Sequence, residues 1–362
     1  MKTTEILGSL VLAAAIAAAP LAAAELQSSS FELRPGVVVD RDGDRIYSMK
    51  PGGGLQAIDS RNGSVIFETA LADKPVALWQ GRLAAQRENR TTPGVLEIVL
   101  IDTRSPDLST EIDVALPEGE LALVDESLGR KFSTTGAVRQ GDLLVGWTSV
   151  SQPMGAIPSS EERTAPEKRG AARLDPTAAR AIPIDPAALA ADLSPLPAAV
   201  QAFAAESNEK PARVGALIVS TRTETIDGNA RRIVLKRWAE DGRALPDVEL
   251  FRGEPIVEWP SADGRHLIVS QRVAPGEENE YLWNVYSLET GARVGLVRNH
   301  FAKADFYVDG NRLVHDVWPY AYRVDGKLKT VDRAVQGVDL PSGTAVWKQA
   351  VRDTAYRGPF PP

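Results

Sequence analysis

The chain has 362 residues and not one is cysteine. No disulfide can brace the fold in any redox compartment, so burial of apolar surface has to supply the stability. The same absence excludes lipid attachment at a lipobox cysteine. Histidine is almost as scarce, with three residues, His266, His300 and His315. Neither an H-E-x-x-H metal helix nor a G-x-S-x-G nucleophile elbow occurs, which removes two common hydrolase signatures. His315 is followed by Asp316, yet neighbours on a strand face opposite sides, which argues against a local dyad. Basic excess is missing too. The formal net charge is −7, which makes nucleic acid a poor partner. Beyond the first residues there is no run of apolar residues long enough to span a bilayer.

At the N-terminus Lys2 precedes an apolar, alanine-rich stretch from Ile6 to Ala23, broken by Pro20 and followed by Ala24 and Glu25. Small residues before Glu25 and a short apolar core read as a cleavable secretory signal over residues 1–24. The expectation is therefore a periplasmic or secreted protein that is not a lipoprotein and carries no transmembrane segment. A monomer is expected.

What recurs along the rest of the chain is a pair of turns. Opening turns at Asp42-Gly43-Asp44, Gln80-Gly81, Gln140-Gly141, Val214-Gly215, Asp263-Gly264 and Asp309-Gly310 each run into apolar residues. A second turn follows each of them, at Asp59 to Gly63, Asp102 to Pro106, Asp175 to Ala179, Trp238 to Gly242, Ser287 to Gly291 and Asp339 to Gly343. Short runs of alternating, β-branched residues lie between the turns. A supersecondary unit repeated in this way marks a radial or stacked array. The fold expected is all-β, a β-propeller of four-stranded antiparallel blades; six units fit, with seven or eight as alternatives. It forms a single domain over residues 25–362. Leu33 to Val39 is expected to close the ring beside the last blade.

Two interruptions stand out. Residues 151–170 are rich in Pro, Ser, Glu and Arg and read as a loop insertion. Residues 185–210 read as a helical insertion of two short helices, because Asp185-Pro186 and Ser194-Pro195 each place a capping residue before a proline. Leu196, Val200 and Phe203 then share one helix face. The Pro-rich end after Tyr356 is expected to lie extended.

The second turns carry a resemblance. Ala57-Ile58-Asp59-Ser60-Arg61-Asn62-Gly63-Ser64-Val65-Ile66-Phe67 resembles the A-x-D-x-x-T-G-x-x-x-W tryptophan-docking repeat of the PQQ-like propeller family, and Gly337 to Trp347 is its best copy. Val285 to Gly295 retains Thr290-Gly291. The resemblance implies that the Trp of one blade packs on the neighbouring blade's turn. The family's PQQ-dependent dehydrogenases use a vicinal disulfide that this chain cannot form. The resemblance accordingly implies the non-catalytic branch, whose members act as envelope scaffolds, with no cofactor expected. The alternative is a propeller enzyme, a PQQ- or Ca-dependent dehydrogenase or a hydrolase, with its site in the central channel.

Two places carry chemistry-bearing residues. Asp40, Asp42 and Asp44 have D-x-D-G-D spacing, which can wrap oxygen ligands around Ca²⁺ and equally makes an ordinary hairpin turn. In a chain with 6% aromatics, Val317-Trp318-Pro319-Tyr320-Ala321-Tyr322 is the densest aromatic segment. Trp318, Tyr320, Tyr322 and Arg323 are residue types that anchor protein interfaces, and they are the candidate surface for an envelope or secreted protein partner. Packing between blades is the competing use of the same rings.

Overall fold

The computed structural model describes residues 30–88, 92–120, 122, 130–151, 167–189, 195–274, 280–324 and 327–352. The expected signal, the Pro-rich end and most of the 151–170 insertion lie outside this set.

The alternating segments pair in sequence order into antiparallel sheets. Blade one contains β1 (Ser30–Arg34), β2 (Val37–Asp40), β3 (Arg45–Met49), β4 (Leu55–Asp59) and β5 (Val65–Thr69). Blade two contains β6 (Lys74–Trp79), β7 (Arg82–Arg87), β8 (Val95–Asp102) and β9 (Ser109–Ala115). Blade three contains β10 (Arg130–Arg139), β11 (Asp142–Ser151), β12 (Glu167–Asp175) and β13 (Arg180–Ile184). Blade four contains β14 (Ala212–Val214), β15 (Leu217–Asp227), β16 (Ala230–Ala239) and β17 (Ala244–Gly253). Blade five contains β18 (Val257–Pro260), β19 (His266–Arg272), β20 (Tyr281–Ser287) and β21 (Arg293–Asn299). Blade six contains β22 (Phe306–Asp309), β23 (Arg312–Val317), β26 (Ala334–Asp339) and β27 (Thr344–Ala350). Between β23 and β26 the chain makes a separate two-stranded hairpin, β24 (Tyr320–Val324) with β25 (Lys327–Val331). Six blades of this kind make a β-propeller, as the repeated turns predict. Counting blade one from β2, in each blade the turns from first to second and from third to fourth strand emerge on one face, here the turn face. The second-to-third connections, including the hairpin, emerge on the other.

Ring closure differs from the expectation. Leu33 to Val39 does not join the last blade: β1 and β2 both belong to blade one, where Ser30 pairs with Asp40 and Glu32 with Val38. Blade six builds its four strands from residues after Asp305. With β2 as the innermost ordinary strand, β1 is an additional strand on the channel side. A bulge between Glu32 and Arg34 turns the strand, and the Arg34 guanidinium meets buried Asp316 of blade six at 2.8 Å.

The core lies between blades. Buried apolar clusters join blades one and two, two and three, four and five, five and six, and six and one. At the interface of blades three and four the helical insertion intervenes. A 3₁₀ turn at Pro186–Leu189 puts Leu189 against Gly146 of blade three. Helix α1 (Ala198–Ser207) puts fully buried Val200 against Ile218 and Trp238 of blade four, with Leu196 and Phe203 beside them. The apolar face is as the spacing predicts, but the helices differ. The first is a single 3₁₀ turn capped by Asp185, whose Oδ1 accepts the Ala187 N–H at 2.8 Å. The second starts at Ala198, with Pro197 outside the helix in an extended conformation at φ −53°, ψ 146°. The 151–170 insertion is also shorter than predicted: Val150 pairs with Glu167, so residues 167–170 continue β12.

Candidate functional site

The D-x-D-G-D turn joins β2 to β3. Asp40 Oδ1 accepts the Gly43 N–H at 3.0 Å, and a Cβ on Gly43 would stand 2.3 Å from Asp40 Oδ2, so a larger residue there would displace the Asp40 carboxylate. Burial pushes the Asp40 carboxyl above its ordinary range, partly opposed by that N–H. Asp44, in the left-handed region at φ 51°, faces Arg61 Nη1 at 3.4 Å, and Asp42 is exposed. The three carboxylates are not gathered, and among the described residues no group of three His, Asp or Glu could hold a metal ion.

Sequence reasoning passed over the residue between these aspartates. Arg41 lies over the rings of Phe31 and Tyr307, at 5.1 and 5.8 Å, and donates to Val308 O at 3.2 Å. Its Nη2 also meets Asp263 in the β18–β19 turn of blade five, so a blade-one side chain ties three parts of the ring together on the turn face. No local motif announces this, since its partners are distant in sequence.

The aromatic segment runs from the end of β23 into the separate hairpin. Trp318 leaves β23 and Tyr320 and Tyr322 stand on one side of β24, two residues apart and opposite Val331 and Lys329. The Tyr320 and Tyr322 rings lie 5.8 Å apart. Phe301 and His300, from the connection between blades five and six, complete the cluster: Phe301 lies 5.4 Å from Tyr320 and 6.2 Å from Trp318, and His300 lies 5.2 Å from Tyr320. The base is anchored, because Trp283 Nε1 donates to Phe301 O at 2.8 Å. The tips are not covered: Trp318 and Tyr322 are each 43% exposed. Lys327 and Lys329 of β25 are exposed beside them. Of the four candidates, the structure thus brings Trp318, Tyr320 and Tyr322 into one cluster, while Arg323 occupies the opposite side of β24, across from Leu328. Half-buried Tyr320 serves as the packed centre.

The remaining histidines, His266 in β19 and His315 in β23, lie within blades five and six. His315 is buried, its Nδ1 donates to the Asp316 carbonyl at 2.9 Å, and burial holds the ring's pKa below 6.5. His266 is lowered by burial as well, with the Asp263 carboxylate opposing. Asp316 is fully buried between Arg34 and Arg333, the latter at 2.7 Å, which satisfies its charge.

No family model matches the chain. No curated protein matches it. Among solved structures, the computationally designed Ika8 protein is similar over 85% of this chain and 72% of its own, at 9% identity and a TM-score of 0.23. A puromycin hydrolase mutant complexed with PGG is similar over 86% of this chain and 53% of its own, at 14% identity and a TM-score of 0.31. The Myceliophteria thermophila Cps50 (Swd1) β-propeller domain is similar over 87% of this chain and 85% of its own, at 10% identity and a TM-score of 0.24. These scores are low, and the propeller assignment rests on the sheet topology.

Proposed function

We propose that this chain is an exported, non-catalytic β-propeller scaffold that binds a protein partner in the cell envelope or outside it, and that it belongs with the non-catalytic branch of the PQQ-like propellers. The observation that carries the reading is the hairpin: two aromatic side chains, each 43% exposed, on a packed aromatic base with cationic residues around them. Large rings with few rotatable bonds are the residues that concentrate binding energy at protein interfaces. The site stands on its own two-stranded sheet, so it can be altered without opening a blade. The alanine-rich N-terminus supports export, and the seating of Trp347 on the blade-one turn supports the family.

The test is crosslinked capture by tagged residues 25–362 from the exported fraction of the native host, beside the double variant W318A/Y322A. The expected outcome is a stoichiometric protein partner that the variant loses while its melting point stays within about 2 °C, since neither side chain is buried. Equal capture by both proteins would remove the hairpin from the reading.

A further inference from the structure

The joint of blades six and one carries a second, chemically different site on the turn face. Tyr307 and Asp309 stand two residues apart on β22, and their register partners on β23 are Val314 and Arg312. All four side chains therefore share one face of the sheet. The inner part of that face, Tyr307 and Val314, packs on Ile46 and Ile58 of blade one. Its outer part, Asp309 and Arg312, runs up to the turn face, where Ser60 and Arg61 of the β4–β5 turn line the same cavity of about 200 Å³. Tyr307, Val314 and Ser60 make a buried base, while Arg61, Asp309 and Asn311 form an exposed rim.

The base ends in an unanswered group. Tyr307 is 1% exposed, and its hydroxyl makes no hydrogen bond. The Asp309 carboxylate lies near that hydroxyl, and the Ser60 side chain lies beside it without closing a bond, which sets it at the cavity end of the ring. Burial pushes the phenol's pKa upward, so the group is neutral and can both donate and accept. Buried polar atoms in native proteins are almost always paired with protein or with something bound, because leaving them unpaired is costly. The ring's own repeat shows why the space is there. Arg45 opens β3 as Arg312 opens β23, and Arg45 Nη1 donates to Thr103 O in the second turn of the next blade at 2.8 Å. The corresponding carbonyl for Arg312 is that of Ser60, which already accepts from Trp347 Nε1 at 3.1 Å. Among the described residues Arg312 makes no hydrogen bond.

The charges around the cavity are balanced. Arg61 is taken by Asp59 and Asp44, at 3.0 and 3.4 Å, and Arg312 stands in register with Asp309. An anion would meet Asp309 and a cation would meet Arg312. A ligand with neighbouring hydroxyl groups uses both, one oxygen accepting from the guanidinium and the next donating to the carboxylate. The volume lies below that of a drug-sized pocket, which confines an occupant to one small ring. We propose that this cavity binds a single neutral sugar or cyclic polyol, its hydroxyl groups held by Tyr307, Arg312 and Asp309. The aromatic hairpin lies on the opposite face, so the site does not depend on the partner reading.

The test is saturation-transfer NMR of tagged residues 25–362 with D-glucose, D-galactose, D-mannose and myo-inositol, beside acetate and methylammonium. The expected result is transfer to at least one of the four neutral ligands and to neither ion. Affinity for that ligand should fall by about threefold or more in Tyr307→Phe, which loses a neutral hydrogen bond, and by about tenfold or more in Asp309→Asn, which loses a charge-assisted one. Tyr307→Phe should also melt within about 2 °C of the native chain, because the hydroxyl it loses leaves no partner behind. A larger fall would show the phenol bonded within the protein and would overturn the proposal. No transfer to any of the four, transfer to acetate or methylammonium in their place, or unchanged affinity in either variant would overturn it as well, leaving water as the occupant or the ion as the ligand.

Discussion

Gly63 and Trp347 make one joint between the last blade and the first. Gly63 stands at φ +75° in the β4–β5 turn, where an added Cβ would lie 2.7 Å from Trp347 Cβ and Cγ. The indole Nε1 of Trp347 donates to Ser60 O at 3.1 Å in the same turn. Gly63→Ala therefore meets two penalties, the left-handed backbone at about 1–2 kcal/mol and the clash with the indole. We expect at least about 2 kcal/mol of destabilisation, read as the shift of the urea midpoint at constant slope. Trp347→Phe keeps most of the apolar area and loses the hydrogen bond, so about 1 kcal/mol is expected. If alanine at 63 proved neutral, the indole would not be seated on this turn. His315 gives a pH prediction. Its Nδ1–H is on the Asp316 carbonyl, its Nε2 faces Gln336 at 3.4 Å, Trp283 packs edge-on at 5.3 Å, and Asp316 and Lys348 are the charges near it. Burial lowers its pKa in the fold, so below the ordinary 6.5 the unfolded chain takes up the proton first. Stability from the neutral ring is complete above that value and falls as the pH falls below it. Denaturation midpoints between pH 7.5 and 5.5 should decline for the native chain and decline less for His315→Gln, with His266 contributing in the same direction to both. Parallel curves for the two proteins would contradict this account.

At the scale of elements, the helical insertion acts as the filling between blades three and four. Val200 is fully buried against Ile218 and Trp238, and Phe203 lies 4.8 Å from the Trp238 ring. Val200→Asp would bury an unpaired carboxylate there, and a loss of about 3 kcal/mol or more is expected, together with binding of an apolar dye as the interface opens. Wild-type stability in this variant would mean that the helix is an ornament on the blade edge. The apolar face of this helix could be read from sequence, since Leu196, Val200 and Phe203 fall at helical spacing. The blade strands could be read too, because alternation and Gly-centred turns are local properties. Other elements were not legible, for reasons equally physical. Ser30 to Arg34 alternates like any strand, and its side of the sheet depends on a bulge and on Asp316, far along the chain. The hairpin was hidden because the pairing of Tyr320 with Val331 appears only when β25 is in place. The Asp40, Asp42 and Asp44 spacing suggested ligands, whereas Gly43 and Arg61 take up two of the carboxylates.

For the whole molecule, the ring is closed by side chains and by short backbone contacts, and among the described residues no blade is completed by strands from both ends of the chain. Gln56 Nε2 donates to Ala350 O at 2.7 Å, and the Arg352 N–H donates to Met49 O at 2.9 Å. The Arg352 guanidinium meets Glu88 at 3.1 Å, and its carbonyl accepts from Arg34 at 3.5 Å. Closure at this seam thus combines Trp347, a buried apolar cluster and ion pairs, and each blade remains a complete sheet in sequence order. A propeller built in this way does not need its chain to begin at blade one. Arg352 lies beside Arg34, and β1 runs four residue steps from there to Ser30, roughly 13 Å at strand spacing. A flexible Gly-Ser linker of about ten residues spans that distance. Joining Arg352 to Ser30 through such a linker, and opening the chain between Gly253 and Val257, should give a circular permutant that folds in one cooperative transition. Far-ultraviolet circular dichroism and tryptophan fluorescence should report the same urea midpoint, within about 1 kcal/mol of the native order. Two separated transitions would show that continuity across the blade four to blade five connection is itself required for the ring, and that the seam at Trp347 is too weak to hold without it.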